Sequence, residues 1–305
     1  MKTRTLPFLI LLLLYSACLH DKAHSDSDWH MQPVTIQTPW ASQVSPVHPL
    51  PEYPRPQMVR PQWQNLNGLW DYAITAWDAA APTTYQGKIL VPFPIESALS
   101  GVKKALLPRQ RLWYHTTFKT NTTERTLLHF GAIDWKASVY LNGHLLGSHL
   151  GGYHHFSYDI TSFLQPGNND LVVSVYDPTS QGNNPHGKQS LYPRKILYTA
   201  CSGIWQTVWL EHVPDTYIAG FTLTPDLDAQ ELKIKVNVAS FNGQAFALAI
   251  SNHTSPSTGP THHTIQTNST SDSHYTIQAI SNNFISASTS TDSLTLHIPS
   301  PHTWS

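Results

Sequence analysis

The chain has 305 residues, a formal net charge of −1 and a charged fraction of only 12%. This balance leaves no basic footprint for nucleic acid or for an anionic membrane surface, so we expect neither partner. A chain of this length favours two domains.

Residues 1–20 have the layout of a secretory signal peptide. Two basic residues precede an apolar run at residues 6–14, and small residues follow it. We therefore expect a secreted, extracellular protein. If the host is a bacterium, the alternative is a lipoprotein in which Cys18 carries the lipid anchor. No later segment has the uninterrupted apolar length that a membrane span requires.

Residues 21–53 are predicted to form an extended leader. The segment is rich in proline, serine and histidine, and its prolines do not permit a helix. The first strands are expected after it, around Trp63 and Trp70, with Asn67-Gly68 as a turn or bulge between them.

Short alternating strands separated by turns predict an antiparallel β domain at residues 54–214. Apolar residues alternate with other residues over residues 137–141, the period of two expected when one strand face is buried. Asn142-Gly143 follows at once and supplies the two positive-φ positions of a type I′ hairpin turn. Residues 167–170 form a second turn cluster, and another alternating strand comes after it.

The remaining strands continue this pattern. Residues 202–213 carry apolar side chains on both faces and predict one interior strand that closes the first domain. Residues 215–300 predict a second sandwich of immunoglobulin-like type, with alternating strands at 232–238, 246–250 and 294–298.

The histidines and cysteines do not suggest a metal centre. The chain has 18 histidines, but neighbours such as His154 and His155 point to opposite faces of a strand. No His-Glu-x-x-His or Cys-x-x-Cys run occurs, so we expect no metal site and no cofactor. Cys201 lacks a partner once Cys18 is removed or lipidated, and we interpret it as a buried thiol.

Six short motifs give the first domain a family resemblance. They occur in order and are Trp63-Gln64-Asn65-Leu66-Asn67-Gly68-Leu69-Trp70, Val91-Pro92-Phe93-Pro94, Leu112-Trp113-Tyr114, Val139-Tyr140-Leu141-Asn142-Gly143, Asp177-Pro178-Thr179 and Ser202-Gly203-Ile204-Trp205-Gln206-Thr207-Val208-Trp209-Leu210-Glu211. With them the chain resembles the N-terminal part of glycoside hydrolase family 2, which includes β-galactosidases, β-glucuronidases and β-mannosidases. The resemblance implies an all-β chain, with a galactose-binding-like jelly-roll β-sandwich at residues 54–214 and an immunoglobulin-like β-sandwich at residues 215–300. Residues 301–305 resemble the start of the linker into the catalytic barrel of that family.

The resemblance also implies two candidate substrate-binding residues, Asp177 and Glu96. Asp177 ends a strand where the family places an aspartate that points into the substrate pocket. A carboxylate there can accept hydrogen bonds from a sugar hydroxyl or ligate a cation, and the alternative is an Asx turn before Pro178. Glu96 follows the Val-Pro loop on which β-galactosidases of the family place a sugar-contacting amide, and Pro94 takes that place here.

Other residues of the motifs are assigned to packing. We predict that Trp113, Tyr114, Trp205 and Trp209 lie in the core rather than against a sugar. The loop at residues 179–199 is long and polar, which favours a functional loop.

We predict no catalytic residue in this chain. Retaining glycosidases use two carboxylates about 5–5.5 Å apart, and in the resembled family both are glutamates of a TIM barrel, which needs about 250 residues of its own. None of the glutamates here follows an asparagine, as the acid/base of that family does; they are Glu52, Glu96, Glu124, Glu211 and Glu231.

Two interpretations of the function follow. In the first, the chain is the N-terminal, non-catalytic part of a secreted family 2 glycosidase, truncated before its barrel and inactive alone. Its partners would then be that barrel domain and a β-glycoside. In the second, the chain is a stand-alone secreted carbohydrate-binding or regulatory protein without enzymatic activity.

Overall fold

The computed structural model describes residues 29–121 and 123–240 and, beyond them, strand backbone only. That backbone covers residues 247–253, 262–268, 276–277, 279–280, 287–289 and 293–297. The predicted signal peptide and the predicted linker at 301–305 lie outside the described residues. Helical structure in the described part is limited to short 3-10 helices at Pro39–Gln43, Ala98–Ser100, Thr161–Phe163 and Thr179–Gln181. No helix there has the length and apolar character of a membrane span.

The rest of the regular structure is β. The strands are β1 (Met58–Val59), β2 (Trp63–Asn65), β3 (Gly68–Ala76), β4 (Gly87–Val91), β5 (Gln110–Lys119), β6 (Arg125–Phe130), β7 (Ile133–Asp134), β8 (Lys136–Leu141), β9 (His144–Leu150), β10 (Phe156–Asp159), β11 (Asn168–Tyr176), β12 (Gln189–Ser190), β13 (Tyr198–Thr199), β14 (Gly203–Ile204), β15 (Val208–Val213), β16 (Thr216–Asp226), β17 (Glu231–Ser240), β18 (Ala247–His253), β19 (His262–Asn268), β20 (Thr276–Ile277), β21 (Ala279–Ile280), β22 (Ala287–Thr289) and β23 (Ser293–His297).

Two antiparallel sheets face each other in the first part of the chain. One has six strands in the order β4-β3-β5-β11-β8-β9, and the other has four in the order β10-β6-β15-β2. Successive side chains of a strand point to opposite faces, so alternate residues of β8 and β11 enter the core between the sheets. These fully buried residues are Ala137, Val139, Leu141, Leu171, Val173 and Val175. Each buried valine or leucine contributes about 1.5–3 kcal/mol, which makes the sandwich the stable frame of the molecule.

The predicted hairpin after β8 is confirmed. Asn142 and Gly143 have φ angles of 50° and 80°, the left-handed values that a type I′ turn requires. The Asn142 side chain also accepts a hydrogen bond from the backbone N–H of Asp170 at 2.8 Å and donates to Oδ1 of Asn169 at 2.9 Å. The turns before β9 and β11 are therefore locked together side by side.

Two predicted strand boundaries are wrong. β11 begins at Asn168, inside the predicted turn cluster, because residues 168–170 already pair with β5. The continuous strand predicted at 202–213 is divided into β14 and β15 by residues 205–207. β14 pairs with β7, whereas β15 pairs with β6 and β2, so the chain changes its partner at this break.

The second part of the chain is also antiparallel β. One sheet has the order β16-β17-β23-β22, and another has the order β18-β19-β21. The strand predicted at 232–238 is confirmed as β17, and those predicted near 246–250 and 294–298 are confirmed as β18 and β23. The predicted fold class, a jelly-roll sandwich followed by a second β-sandwich of immunoglobulin-like type, is thus confirmed as all-β in both parts.

A second buried cluster joins the two parts. It combines side chains on either side of the β15–β16 junction, namely Met58, Leu127, Val213, Tyr217, Ile218, Ile234 and Val236. Because residues of both parts share this core, burial at the junction stabilises both.

Glu211 on β15 organises the outer side of the four-stranded sheet. It is fully buried, and its Oε1 accepts hydrogen bonds from Tyr53 Oη at 2.6 Å, from Trp209 Nε1 at 2.8 Å and from the Arg55 guanidinium. Its Oε2 accepts a hydrogen bond from Arg60 Nε at 3.1 Å. The end of the predicted leader is therefore fastened to an interior strand by charge-assisted bonds.

The surroundings of Glu211 keep it ionised. Burial alone would raise the pKa of this carboxyl, but the contact with His129 and the charge of Arg55 hold the pKa well below its usual range. Burial lowers the pKa of His129, so the arginines supply the compensating positive charge.

Replacing Glu211 tests the strength of this cluster. Glu211→Gln is expected to lower the free energy of unfolding by about 3–5 kcal/mol, because two guanidinium groups lose their buried counter-ion. Urea unfolding monitored by fluorescence measures the loss. Glu231→Gln is the matched control. The Glu231 carboxylate lies 3.9 Å from Lys233 Nζ in a largely exposed pair, which is worth about 1 kcal/mol or less. Equal losses in the two variants would contradict this account.

Candidate functional site

Three buried carboxyl groups converge where several strands of the first sandwich end. Asp177 directly follows β11, Asp134 is the last residue of β7, and Glu96 lies in the loop after β4. Ser202, immediately before β14, joins two of them: its backbone N–H donates to Glu96 Oε2 at 2.8 Å, and its hydroxyl donates to Asp177 Oδ2 at 2.7 Å. We call Glu96, Asp134 and Asp177 the carboxyl cluster.

Asp177, the first predicted site residue, is almost fully enclosed. Its Oδ1 accepts the backbone N–H of Thr179 at 2.8 Å, which is the Asx turn that the sequence left open, and the Asn184 amide at 3.4 Å. Burial raises the pKa of Asp177 in spite of the hydrogen bonds from Ser202 and Thr179. The turn is therefore present, and the sugar-binding role of Asp177 stays a prediction.

Glu96, the second predicted site residue, bridges two backbone segments. Besides the bond from Ser202, it accepts the backbone N–H of Leu106 at 3.4 Å. Burial raises the pKa of Glu96, and the backbone hydrogen bonds oppose that shift. The structure thus brings Glu96 and Asp177 together through one serine, and a sugar contact by Glu96 also stays a prediction.

Asp134 belongs to the cluster but was missed by the sequence analysis. Burial, together with the negative charge of Asp177, raises its pKa to about 7. Gln189 Nε2 donates to its Oδ2 at 3.2 Å, and the Gly152 backbone lies so close that an added Cβ would come within 2.6 Å of Asp134 Cγ. The pair Gly151-Gly152 was the available signal, since glycine permits such a close approach.

The predicted functional loop at 179–199 lies beside the cluster. It contains the short parallel pair of β12 and β13. Two of its buried oxygens, Thr179 Oγ1 and Asn184 Oδ1, have no hydrogen-bond partner among the described residues. Buried polar atoms are rarely left in this condition, so the cluster retains capacity for further hydrogen bonds. In the part of the chain that the structure describes, no three His, Cys, Asp or Glu side chains are arranged to hold a metal ion.

Three of the four aromatic residues assigned to the core are confirmed there. Trp113, Tyr114 and Trp209 are buried. The assignment of Trp205 is wrong: its ring is only half-buried, because it lies in the break between β14 and β15. Its Nε1 donates to the carbonyl of Gly152 at 2.7 Å.

The raised pKa of Asp134 predicts a pH dependence of stability. The ordinary value is 3.8 and the folded value is about 7, so the protonated carboxyl favours the fold. This contribution is complete below about pH 4 and is lost as the pH rises through 7. Asp134→Asn, which mimics the protonated form, is expected to gain stability relative to the original chain between pH 5 and pH 8, as measured by urea unfolding.

Asp71 provides a control, because its pKa is shifted in the opposite direction to that of Asp134. Partial burial opposes the shift, but hydrogen bonds from Lys88 and His115 lower the pKa of Asp71. Asp71→Asn should therefore cost stability at neutral pH, and the difference should shrink as the pH falls. A stability difference for Asp134→Asn that does not change with pH would show that Asp134 titrates normally.

The first domain is similar in sequence to parts of known glycoside hydrolases. The family profile described as the glycosyl hydrolase 2 galactose-binding domain-like family matches residues 102–206, which include Asp134, Asp177 and Ser202. A β-galactosidase of Thermoanaerobacter pseudethanolicus is 31% identical over 111 residues, which are 35% of this chain and 14% of that protein. A β-glucuronidase of Paenibacillus borealis is 25% identical over 153 residues, 47% of this chain and 24% of that protein.

Two further similarities extend this comparison. A mannosylglycoprotein endo-β-mannosidase of Lilium longiflorum is 38% identical over 76 residues, which are 24% of this chain and 8% of that protein. The solved structure of Faecalibacterium prausnitzii β-glucuronidase overlaps with a TM-score of 0.48 at 20% identity, over 69% of this chain and 41% of that one. The matched segments thus span at most 24% of these three curated relatives' own lengths. Residues 102–206 therefore match the galactose-binding-like domain of glycoside hydrolase family 2, and the family resemblance of the sequence is confirmed.

Proposed function

We propose that this chain forms the N-terminal, non-catalytic part of a secreted family 2 β-glycosidase and that this part contacts the sugar. The observation that supports the proposal most directly is Asp177, a carboxyl just after β11. Beside it lie buried oxygens that have no hydrogen-bond partner among the described residues. The family relationship of residues 102–206 supports the same reading, as do relatives named β-galactosidase and β-glucuronidase.

The chemistry of the carboxyl cluster suits a polyol. Thr179 Oγ1 and Asn184 Oδ1 can accept hydrogen bonds, and sugar hydroxyls can donate them. The bond from Asn184 to Asp177 is 3.4 Å long, the longest that Asp177 makes to a side chain here, and a sugar hydroxyl would replace it. Asp134, with a pKa of about 7, can donate when protonated and accept when ionised.

Hydrolysis is assigned to another part of the enzyme. A retaining glycosidase needs an acid/base and a nucleophile that both face the glycosidic bond. Glu211 is held by two arginines and Glu96 by backbone N–H groups, so neither is positioned for that work. The partner in this proposal is a catalytic barrel domain, and the substrate is a β-glycoside.

The second candidate is a stand-alone secreted carbohydrate-binding or regulatory protein. One observation favours it: every side chain of the carboxyl cluster comes from the first sandwich of this one chain. Sugar binding through Asp177 would then need no further domain.

The purified chain is expected to show no glycosidase activity. Chromogenic β-galactosides, β-glucuronides and β-mannosides incubated with it should release no chromophore above the buffer rate, because the two catalytic glutamates would lie in the barrel. Turnover that disappears when one of the chain's own glutamates is replaced would contradict the proposal.

Sugar binding should depend on Asp177. Asp177→Asn is expected to weaken binding of methyl β-glycosides about tenfold, because a hydrogen bond to a charged group is worth about 1.5–3 kcal/mol and 1.4 kcal/mol is a factor of ten. NMR titration of the labelled chain measures the dissociation constants. Asp226→Asn, at an exposed turn bonded to Ala229, is the matched control and should leave binding unchanged. Equal affinities in both variants would place the sugar elsewhere.

The mass of the native protein separates the two candidates. An antibody against residues 217–300, used after removal of glycans, should detect a product larger by about 250 residues if a barrel is attached. A product near 34.1 kDa would favour the stand-alone protein.

A further inference from the structure

A groove runs along the outer side of the four-stranded sheet, and none of the three carboxyl-cluster residues lines it. Its volume is about 630 Å³, and its lining includes Glu52, Tyr53, Arg55, His155, Trp205 and Gln206. A second hollow of about 470 Å³ shares Pro54, Arg55, Pro56 and His155 with it and continues to Phe221. Both volumes lie within the range of ligand-binding pockets, and together they make an elongated site. We call it the aromatic groove.

Trp205 gives the groove a rigid, flat wall. Its Nε1–H is fixed by the carbonyl of Gly152 at 2.7 Å, and Tyr153 meets the ring edge-on with centroids 5.8 Å apart and an angle of 71°. No other ring among the described residues stacks parallel to Trp205. The indole is partly exposed and belongs to the lining of the groove, and an aromatic ring in such a place can pack against the apolar side of a ring-shaped ligand.

Polar side chains beside this wall are free to bind. The Gln206 side chain is exposed and makes no hydrogen bond within the described part of the chain. Gly131 allows it to lie there, since a Cβ at that position would come within 2.7 Å of Gln206 Cβ. Glu52 and His155 are also exposed and line the same groove. Amide, carboxylate and imidazole groups provide both donors and acceptors for hydroxyl groups.

The charges of the groove do not select a charged ligand. Glu52 carries one negative charge and Arg55 one positive charge, and the Arg55 guanidinium is bound to the buried Glu211. Trp209 offers no free face, because His129 stacks on it at 4.8 Å and the Arg55 guanidinium lies 5.7 Å from its ring centre. Of the two tryptophans in the lining, Trp205 is the one on which no ring stacks in parallel among the residues described.

We propose that the aromatic groove binds a neutral oligosaccharide. Trp205 stacks on the C–H face of one sugar ring, and Gln206, Glu52 and His155 form hydrogen bonds to the hydroxyl groups of that ring and its neighbour. Two adjoining hollows of about 630 and 470 Å³ suit a chain of sugars better than a single one. This site does not involve Asp177, so it stands or falls independently of the sugar contact proposed above.

Calorimetric titration of the full chain with neutral hexaoses tests the site. Cello-, xylo-, manno- and galactohexaose are the probes, and at least one should bind with a millimolar or lower dissociation constant. Trp205→Ala should weaken that binding about tenfold or more, and Gln206→Ala should weaken it several-fold. Trp77→Ala is the matched control, because Trp77 is exposed outside the groove lining, and it should bind like the original chain.

Thermal unfolding of each variant separates lost binding from lost structure. If Trp205→Ala does not fold, Trp205→Phe keeps a smaller flat ring and should show an intermediate affinity. The proposal is overturned if none of the hexaoses binds at millimolar concentration, or if the Trp205 and Trp77 variants bind equally well. It is also overturned if Asp177→Asn alone abolishes binding, since the oligosaccharide would then occupy the carboxyl cluster.

Discussion

The fold depends on one buried carboxylate, Glu211, and the two arginines that neutralise it. Arg55 belongs to the segment that leads into the sandwich, and Arg60 continues past Glu211 to donate to the carbonyl of Ile218 on β16 at 2.5 Å. The Arg60 guanidinium also lies 5.5 Å from the ring centre of Tyr217. A single ion cluster therefore connects the leader, the jelly-roll sheet and the first strand of the second sandwich.

The local sequence pattern predicts most of the strands and turns, but it does not predict which distant side chains the fold brings together. The alternation over β8 and the Asn142-Gly143 turn were predictable, because a hairpin is specified by neighbouring residues. The break at residues 205–207 was not predictable, because the alternating pattern of the sequence continues through these residues. The break arises from the change of partner strand. Asp177 and Glu96 could be named from the family resemblance, whereas Asp134 joins them only through the tertiary fold.

The segment from Ser202 to Gln206 connects the two candidate binding regions. Ser202 donates to Glu96 and Asp177 on one side, and Trp205 and Gln206 line the aromatic groove on the other. Gly152 lies between them, with its carbonyl bound to Trp205 and its Cα against Asp134. One short stretch of backbone, which includes the break between β14 and β15, thus contributes to both regions.

Cys201 lies next to this segment, and its environment determines its redox chemistry. Burial, together with the nearby Asp134 and Glu96, raises the pKa of the thiol to about 12. Because the thiolate is the reactive form, this raised pKa keeps the reactive fraction small at pH 7. Disulfide exchange and alkylation at Cys201 are therefore expected to be slow, since the carboxyl groups of the candidate site also disfavour the thiolate of this neighbouring residue.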